Sequence, residues 1–580
     1  MERPQRQALY AAQLADAMPR ALTELDRDPL SLTYGCFDRE YWAWATKDFA
    51  NFDLQRAIYP LTLAYLTPFP GNRWHQAPRL RDWIKAAFAH CERVQHANGS
   101  FDHHYPNEFS VVGVAFPLAE MGLAFMMLDE AGEFSAEERR RWLDFFARCA
   151  GFLCKVDETH GFISNHRLGA VCGLHITATL TGDGRFSRRA DDLLNSVVER
   201  ASPEGWPLEY TGADPGYQTL DTNFMAHYFR LSGDAAFLEK LVLPSLEFLL
   251  YFFHPDGSVG GEYGSRNCPL YYPGGFETFA PYSGAAETMA RLGAGAIRDG
   301  NSTALGGHDI RNFIPMMSSY TLALLACAGE RPPAAAAAPP WERNFERYWP
   351  DAGLFVRSDA RRYTIIGCSK GGVVKIFDKQ TRRLEGAHSG YLLEARKGRA
   401  WSTQLHEKNR VKGLENCTGK EAAPSSERRF SVEAAFFRVL PMRLFTPFRF
   451  ILFRMFMLTI GRNVAANNWA KRHIIGLFIH RRKRSPMRVV REFTFTAESL
   501  TIRDEMTGLG AVPTARLRAA DIFTTIYMGS SKYYRHMEDL PDALSGENLI
   551  GLLRATGGIL TYEMDATGLI LQRDGKTDGA

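Results

Sequence analysis

LDEAGEF (128–134), LTGDGRF (180–186) and LSGDAAF (231–237) are three versions of one helix-ending turn, and their closing residues Phe134, Phe186 and Phe237 lie 52 and 51 residues apart. A period of that length suits one helical hairpin with its loops. The stretches around these turns carry apolar residues at helical spacings, as in PLAEMGLAFMMLDEAG (117–132) and LVLPSLEFLLYFF (241–253). Between the turns, polar and glycine-rich segments recur at a related spacing: NGSFDHHYPNEFS (98–110), HGFISNHRLG (160–169), EGWPLEYTGADPGYQTLD (204–221), PDGSVGGEYGSRN (255–267) and LGGHDIRN (305–312). Hairpins stacked side by side into a ring bring such loops to one face. The reading is an N-terminal (α/α) toroid whose five loops share one cleft.

After AGERPPAAAAAPP (328–340) the pattern changes. GLFVRSD, RYTIIGCS, GGVVKIFD, SGYLLEAR and REFTFTAESLTIRDEM are short β-branched and aromatic runs separated by turn residues. Helices followed by strands indicate two domains. The expected division is a toroid over 1–330, a Pro/Ala linker over 331–344, and an antiparallel β-sandwich over 345–580 with a basic, partly helical insertion at about 425–485. The fold class is thus α+β multidomain.

The 580 residues, 45% of them hydrophobic and 23% charged, are ordinary for a folded protein with a large core. The net charge of +4 is unevenly spread. Arg428–Arg491 holds fifteen Lys/Arg against one acid, Glu433, which leaves the remainder at about −10. Nine cysteines without a CxxC pair argue against a disulfide scaffold or a cysteine zinc site. The opening residues mix charged and small side chains where a secretory signal needs an apolar run, so a cytoplasmic location is expected.

The loops supply His103, His104, Tyr105, Asn107, Glu108, Asn165, His166, Glu209, Tyr210, Asp214, Tyr217, Glu262, Tyr263, Arg266, Asn267 and His308. This mixture of hydrogen-bonding groups and aromatic rings suits carbohydrate. GxxxxGK[ST] is absent, and the glycine-rich segments lack the strand–turn–helix setting of a dinucleotide site. No HExxH or similar set supports a catalytic metal, and no cofactor is expected.

Ser-Asn-His at 164–166, followed about fifty residues later by GADPGYQTLD with Tyr217, resembles the Asn-His and Gly-x-Gly-Tyr-type segments of heparinase II/III-like and alginate-type polysaccharide lyases. The YPNEFS segment (105–110) adds to the likeness. That resemblance implies a toroid followed by a β-sandwich, an acidic polysaccharide or oligosaccharide substrate, and β-elimination at a uronic acid. Elimination needs the substrate carboxylate neutralised, a base for the C5 proton and an acid for the leaving oxygen. The resemblance assigns Tyr217 as acid, and also as base, with Asn165 and His166 at the carboxylate. Arg266 is added from the residues themselves. A tyrosine base requires nearby positive charge to lower a pKa near 10, and His166 and Arg266 are the expected sources. His104, Tyr105, Asn107, Glu108, Glu209, Tyr210, Glu262, Tyr263 and His308 are expected to bind substrate.

Other readings stay open at this point. Toroids also host glycoside hydrolases, which need two carboxyl groups, and Asp102, Glu108, Glu209, Asp214 and Glu262 are available. A uronate C5-epimerase shares the proton-abstraction step, and a glycan-binding protein would keep the aromatics without the chemistry. The missing signal fits synthesis or editing of a surface polysaccharide better than its degradation outside the cell. In FFRVLPMRLFTPFRFILFRMFMLTIGR (436–462) arginines interrupt the apolar residues too often for a membrane span. Peripheral contact with an anionic membrane through 436–491, at the inner face, competes with plain docking on the toroid. Nucleic acid is not expected, because no recognition fold accompanies the charge.

Overall fold

The computed structural model describes residues 1–158, 161–395, 399–439, 445–475, 483–497, 499–508, 514–519, 548–565 and 568–572. The helical part runs α1 (Arg3–Glu24), the short α2 (Arg39–Trp42), α3 (Ile58–Leu66), α4 (Pro78–Val94), α5 (Val112–Glu130), α6 (Ala136–Lys155), α7 (Ser164–Thr181), α8 (Gly184–Arg200), α9 (Pro215–Ser232), the single turn α10 (Ala235–Phe237), α11 (Leu243–Leu250), α12 (Pro273–Phe279), α13 (Gly284–Asp299) and α14 (Ile310–Cys327). A 3-10 turn over Phe52–Ala57 leads directly into α3.

The three repeated turns close hairpins. Gly182 and Gly233 sit in the left-handed region at φ 71° and 63°, and each donates its N–H to a carbonyl four residues back in the ending helix. A side chain at those positions would strain the backbone, which is why glycine recurs there. Asp183 and Asp234 then cap the next helix by accepting a backbone N–H, and Ser135 does so in the first repeat.

Helices α3, α5, α7, α9, α12 and α14 form an inner ring, and α4, α6, α8, α11, α13 and α1 lie outside it. Composition explains the sorting. Inner helices are buried nearly all round, whereas α6 and α8 carry charged residues on the face turned to solvent. Helix α5 is long and apolar enough to cross a membrane, yet it is a buried staple of the inner ring. Buried ion pairs close the circle. Arg56, ahead of α3, holds Glu120 of α5 at 2.6 Å, and Ser318 of α14 donates to the same carboxylate at 2.6 Å. Arg6 of α1 clamps Glu277 of α12 and Glu287 of α13, each at 2.7 Å.

The linker does not hang free. Ala334 donates to Ala280 and Ala337 to Gly284, so it is laid against α12 and α13. It leads to a five-stranded antiparallel sheet of β1 (Phe345–Trp349), β2 (Leu354–Ser358), β3 (Arg362–Gly367), β4 (Val373–Asp378) and β5 (Arg383–His388), paired in sequence order. The second antiparallel sheet contains β6 (Tyr391–Ala395), β7 (Arg399–Ser402), β8 (Arg410–Lys412), β9 (Arg428–Val439), β10 (Arg484–Phe495), β11 (Leu500–Thr507), β12 (Thr514–Ala519), β13 (Ile559–Asp565) and β14 (Gly568–Leu571). Its order is β12-β6-β7-β9-β10-β11-β13-β14, with β8 on β9.

The two sheets read differently in sequence for a physical reason. In β9 and β10 buried and partly exposed residues alternate, so one face meets the core and one meets water. In β2 and β3 every residue is buried. Phe355, Ile366, Val374 and Ile376 face the second sheet. Leu354, Val356, Tyr363, Ile365, Val373 and Phe377 pack with Trp206, Phe248, Tyr251, Phe252 and Tyr263 of the toroid. The first sheet is therefore a wall shared by both domains.

The basic insertion is narrower than 425–485. Arg428–Val439 and Arg484–Phe495 are paired strands, with Ala434 opposite Val489. The excursion between them carries α15 (Pro447–Leu458) and α16 (Val464–Ile475). Its residues 440–444 and 476–482 lie outside the described residues. A last short helix, α17 (Ile550–Ala555), follows β12.

Candidate active site

Inner helices α5, α7, α9 and α12 are each entered from a longer loop at one end of the ring and left by a turn of two to five residues at the other. Inner-helix N-termini therefore gather at the mouth, an end that favours negative charge. Residues of two neighbouring helix starts, α7 and α9, meet there.

Asn165 lies in the first turn of α7, and its side-chain amide donates to Glu209 Oε1 at 2.6 Å. The Glu209 backbone bridges to Ile163, just ahead of α7, and this sets the two segments side by side. Arg266 Nη1 reaches Glu209 Oε2 at 3.1 Å, so the buried carboxylate is held between an amide and a guanidinium. Burial pushes the Glu209 carboxyl up, and Arg266, His166 and Asn165 oppose that.

Arg266 also lies flat on Tyr217, its guanidinium carbon 3.6 Å from the ring centroid, and 4.9 Å from the Tyr210 ring. Asp214 caps α9 by accepting the Tyr217 N–H at 2.9 Å, and accepts the Arg266 N–H at 2.7 Å. One carboxylate thus sets both Tyr217 and Arg266. Burial raises Asp214 to about 6 even so. The α9 start packs so closely on the 262–268 loop that a Cβ at Gly216 would stand 1.9 Å from the Cys268 carbonyl. Tyr210 holds φ +59°, a left-handed turn that aims its ring under the guanidinium.

His166, next to Asn165, bonds through Nδ1 to Glu158 at 2.8 Å. Its ring meets Phe116 edge-on at 5.5 Å. His103 and His104 stack at 3.7 Å, and their backbone N–H groups donate to Glu108 at 3.2 and 2.6 Å. Burial lowers these two imidazoles to about 4 and about 3, so both are neutral at physiological pH. Arg311 at the start of α14 approaches His104 Nδ1 at 3.4 Å.

The expectation that positive charge lowers the Tyr217 pKa is corrected by the structure. Arg266 does favour the phenolate, but burial outweighs it, and the hydroxyl lies well above its ordinary value near 10. Tyr217 stays protonated, which fits an acid and not a resting base.

Several expected binders face elsewhere. Tyr263 is fully buried in the interdomain core, and its hydroxyl lies 2.8 Å from His254 Nε2. Glu262 pairs with Lys375 of β4 at 3.2 Å. Tyr105 lies edge-on to Phe453 of α15 at 5.1 Å, and Asn107 donates to the Met457 carbonyl at 3.0 Å. His308 is buried, and its backbone carbonyl accepts from Arg20 of α1 at 2.6 Å. The contacts of these five tie the mouth loops to the first sheet, to α15 and to α1.

Sequence reading missed other members. Glu158 orients His166 from a segment without a motif. Asp221, one turn after Tyr217 on α9, is fully buried, and neither carboxylate oxygen has a hydrogen-bond partner among the described residues. The i, i+4 spacing from Tyr217 was the available signal. The sandwich contributes too. Lys370 bonds the Asn267 side chain at 2.8 Å, and His406 Nδ1 lies 3.1 Å from Thr211 Oγ1. A cleft of about 410 Å³ opens beside Thr211, with Ser369, His406 and Asn409 in its wall. His388, by contrast, sits inside the sandwich with Arg491. Among the described residues no cluster of three or more His, Cys, Asp or Glu side chains is arranged to hold a metal ion.

Comparison with known proteins follows the architecture. The family model of the ulvan lyase N-terminal domain matches residues 53–278, the arc of the toroid that holds most of the cluster. Chondroitin AC lyase of Streptomyces coelicolor A3, solved with chondroitin sulphate, shares 13% identity over 88% of this chain and 67% of its own, with a TM-score of 0.50. Xanthan lyase of Paenibacillus shares 11% identity over 86% of this chain but only 45% of its own, at 0.49. Heparan sulfate lyase HepC of Pedobacter heparinus shares 11% over 86% and 68%, at 0.41. At such identities the likeness is one of fold. No curated protein sequence matches. Residues 53–278 are thus similar to the ulvan lyase N-terminal domain, and the toroid with a β-sandwich behind it is a fold this chain shares with the chondroitin AC lyase.

Proposed function

We propose that this polysaccharide-lyase-like enzyme breaks a uronate-containing acidic polysaccharide by β-elimination at the mouth of the toroid. The observation that carries the assignment of roles is the pairing of His166 with Glu158 beside the pinned Asn165 and the buried Tyr217. Glu158 holds a proton on Nδ1 and leaves Nε2 as a lone pair, so His166 is the base. Asn165 spends one amide N–H on Glu209 and offers the other to the uronate carboxylate, with the α7 N-terminus behind it. Nε2 takes the C5 proton, the C4–O bond breaks as the C4–C5 double bond forms, and Tyr217 gives its proton to the departing oxygen. Solvent then restores both groups.

Arg266 is a positioning residue in this scheme, since Glu209 and the Tyr217 ring already occupy it. A hydrolase pair is less well served. Glu209 and Asp214 spend their oxygens on Asn165, Arg266 and backbone N–H groups. The test is ultraviolet absorbance of unsaturated uronyl ends during incubation with ulvan, chondroitin sulphate, heparan sulfate, xanthan and alginate. One of these should give a rise that falls by about 10²–10⁴-fold in Tyr217→Phe and in His166→Ala while melting is unchanged. New reducing ends without unsaturation would replace elimination by hydrolysis.

A further inference from the structure

The helical excursion presents an apolar face that no described residue covers. Phe448, Ile451, Leu452 and Met455 follow helical spacing along one side of α15, and Phe448 and Met455 are 68% and 60% exposed. Ile460 and Trp469, at 63% and 56%, extend the patch across the turn and onto α16. The opposite side of α15 is docked: Met457 is buried, and Phe453 meets Tyr105. The helix therefore turns its larger apolar side to solvent by construction, because the toroid already occupies the other.

Charge identifies the occupant. Residues 440–483 contain nine Lys and Arg and no Asp or Glu. The strand arginines that inflate the count over Arg428–Arg491 are neutralised at home, Arg488 by Glu433 and Arg491 by Asp504. In the excursion Arg454 pairs with Asp48, whereas Arg449, Arg462 and Arg472 are exposed and meet no carboxylate among the described residues. Bulky aromatic and aliphatic side chains rimmed by unpaired arginine match the boundary between headgroups and acyl chains of an anionic bilayer. A second copy of this chain would bring the same positive charge against itself.

We infer that α15 and α16 form a membrane-surface anchor that inserts Phe448, Ile451, Leu452, Met455 and Trp469 into a bilayer containing anionic lipid. The anchor is joined to the mouth of the toroid. Asn107 donates to the Met457 carbonyl at 3.0 Å and accepts from Asn467, and its loop carries His103 and His104. Binding through α15 fixes the cleft close to the lipid surface, where polymer emerging from or tethered to the membrane is within reach.

Flotation of the full chain with vesicles tests this. Phosphatidylglycerol-containing vesicles should carry the protein at low salt, with binding at least about tenfold weaker on pure phosphatidylcholine. The triple variant F448S/I451S/M455S changes exposed side chains, so its melting and its activity on soluble polymer should be unchanged while vesicle binding falls at least about tenfold. Quenching of Trp469 by brominated lipid, lost in W469F, should report insertion. Failure to float with anionic vesicles, equal binding by the triple variant, or a concentration-dependent dimer that the triple variant abolishes would each overturn the anchor.

Discussion

Two groups of loop residues look alike in the sequence and behave differently in the fold. Asn165, His166, Glu209, Tyr217 and Arg266 converge, and each either meets or electrically senses another member. Tyr105, Asn107, Glu262 and Tyr263 come from the same kinds of loop, yet bind the α15–α16 hairpin or the first sheet. A loop at the mouth of a ring has an inner and an outer side. Position in the repeat determines the loop, while the neighbouring domain determines the side. Glu262 and Tyr263 are the clearest case: three residues later Arg266 reaches the cluster, but these two back onto β4 and β3.

Arg266→Ala gives the sharpest test of that division. It leaves Glu209 as a buried carboxylate without the guanidinium that pairs with it and removes the support under Tyr217. A stability loss of about 3–5 kcal/mol is expected by chemical denaturation, together with lost activity. A variant of wild-type stability would show that Glu209 does not depend on its cation. Tyr263→Phe belongs to the other group. It forfeits the hydrogen bond to His254, so about 0.5–1.5 kcal/mol of stability should go while turnover of the best substrate stays as it was. A large fall in turnover at unchanged stability would move Tyr263 into the cluster.

The smallest effect concerns Asp221. Its carboxyl is raised well above its ordinary 3.8, chiefly by burial, with Glu209 adding to the rise and Arg266 opposing it. The folded state therefore holds a proton that the unfolded state releases. Stability falls as pH rises from about 4 towards the raised folded value. Asp221→Asn removes this term, so its melting temperature relative to wild type should climb with pH across that window. A difference that stays flat with pH would mean that Asp221 is ionised in the folded protein.

Much of the fold was legible because its signals are local. The glycine of each repeated turn needs a left-handed backbone, and the Asp or Ser that follows needs to cap a helix; both requirements are written within seven residues. The β runs were legible for the same reason. Closure of the ring was not, since Arg56, Glu120 and Ser318 meet across 262 residues of chain and carry no motif. Site membership followed the same rule. Asn165, His166 and Tyr217 sit at helix starts whose patterns can be read. Glu158, Lys370 and His406 act through contacts made by tertiary packing alone, and the upward shift of Tyr217 is a matter of burial that residue type does not disclose.

The sheet buried on both faces has a consequence for how this chain can be divided. The Pro/Ala linker is a boundary in composition, but the sheet that follows it supplies apolar surface to two cores at once. Cutting there would leave Trp206, Phe248, Tyr251 and Phe252 facing water on one fragment and Trp349, Val356 and Ile365 on the other. The natural modules of this protein in evolution and in engineering are consequently unequal: α15 and α16 meet the toroid through edge contacts such as Met457 and Val464, whereas toroid and sandwich share a core sheet and must be inherited, and must unfold, together.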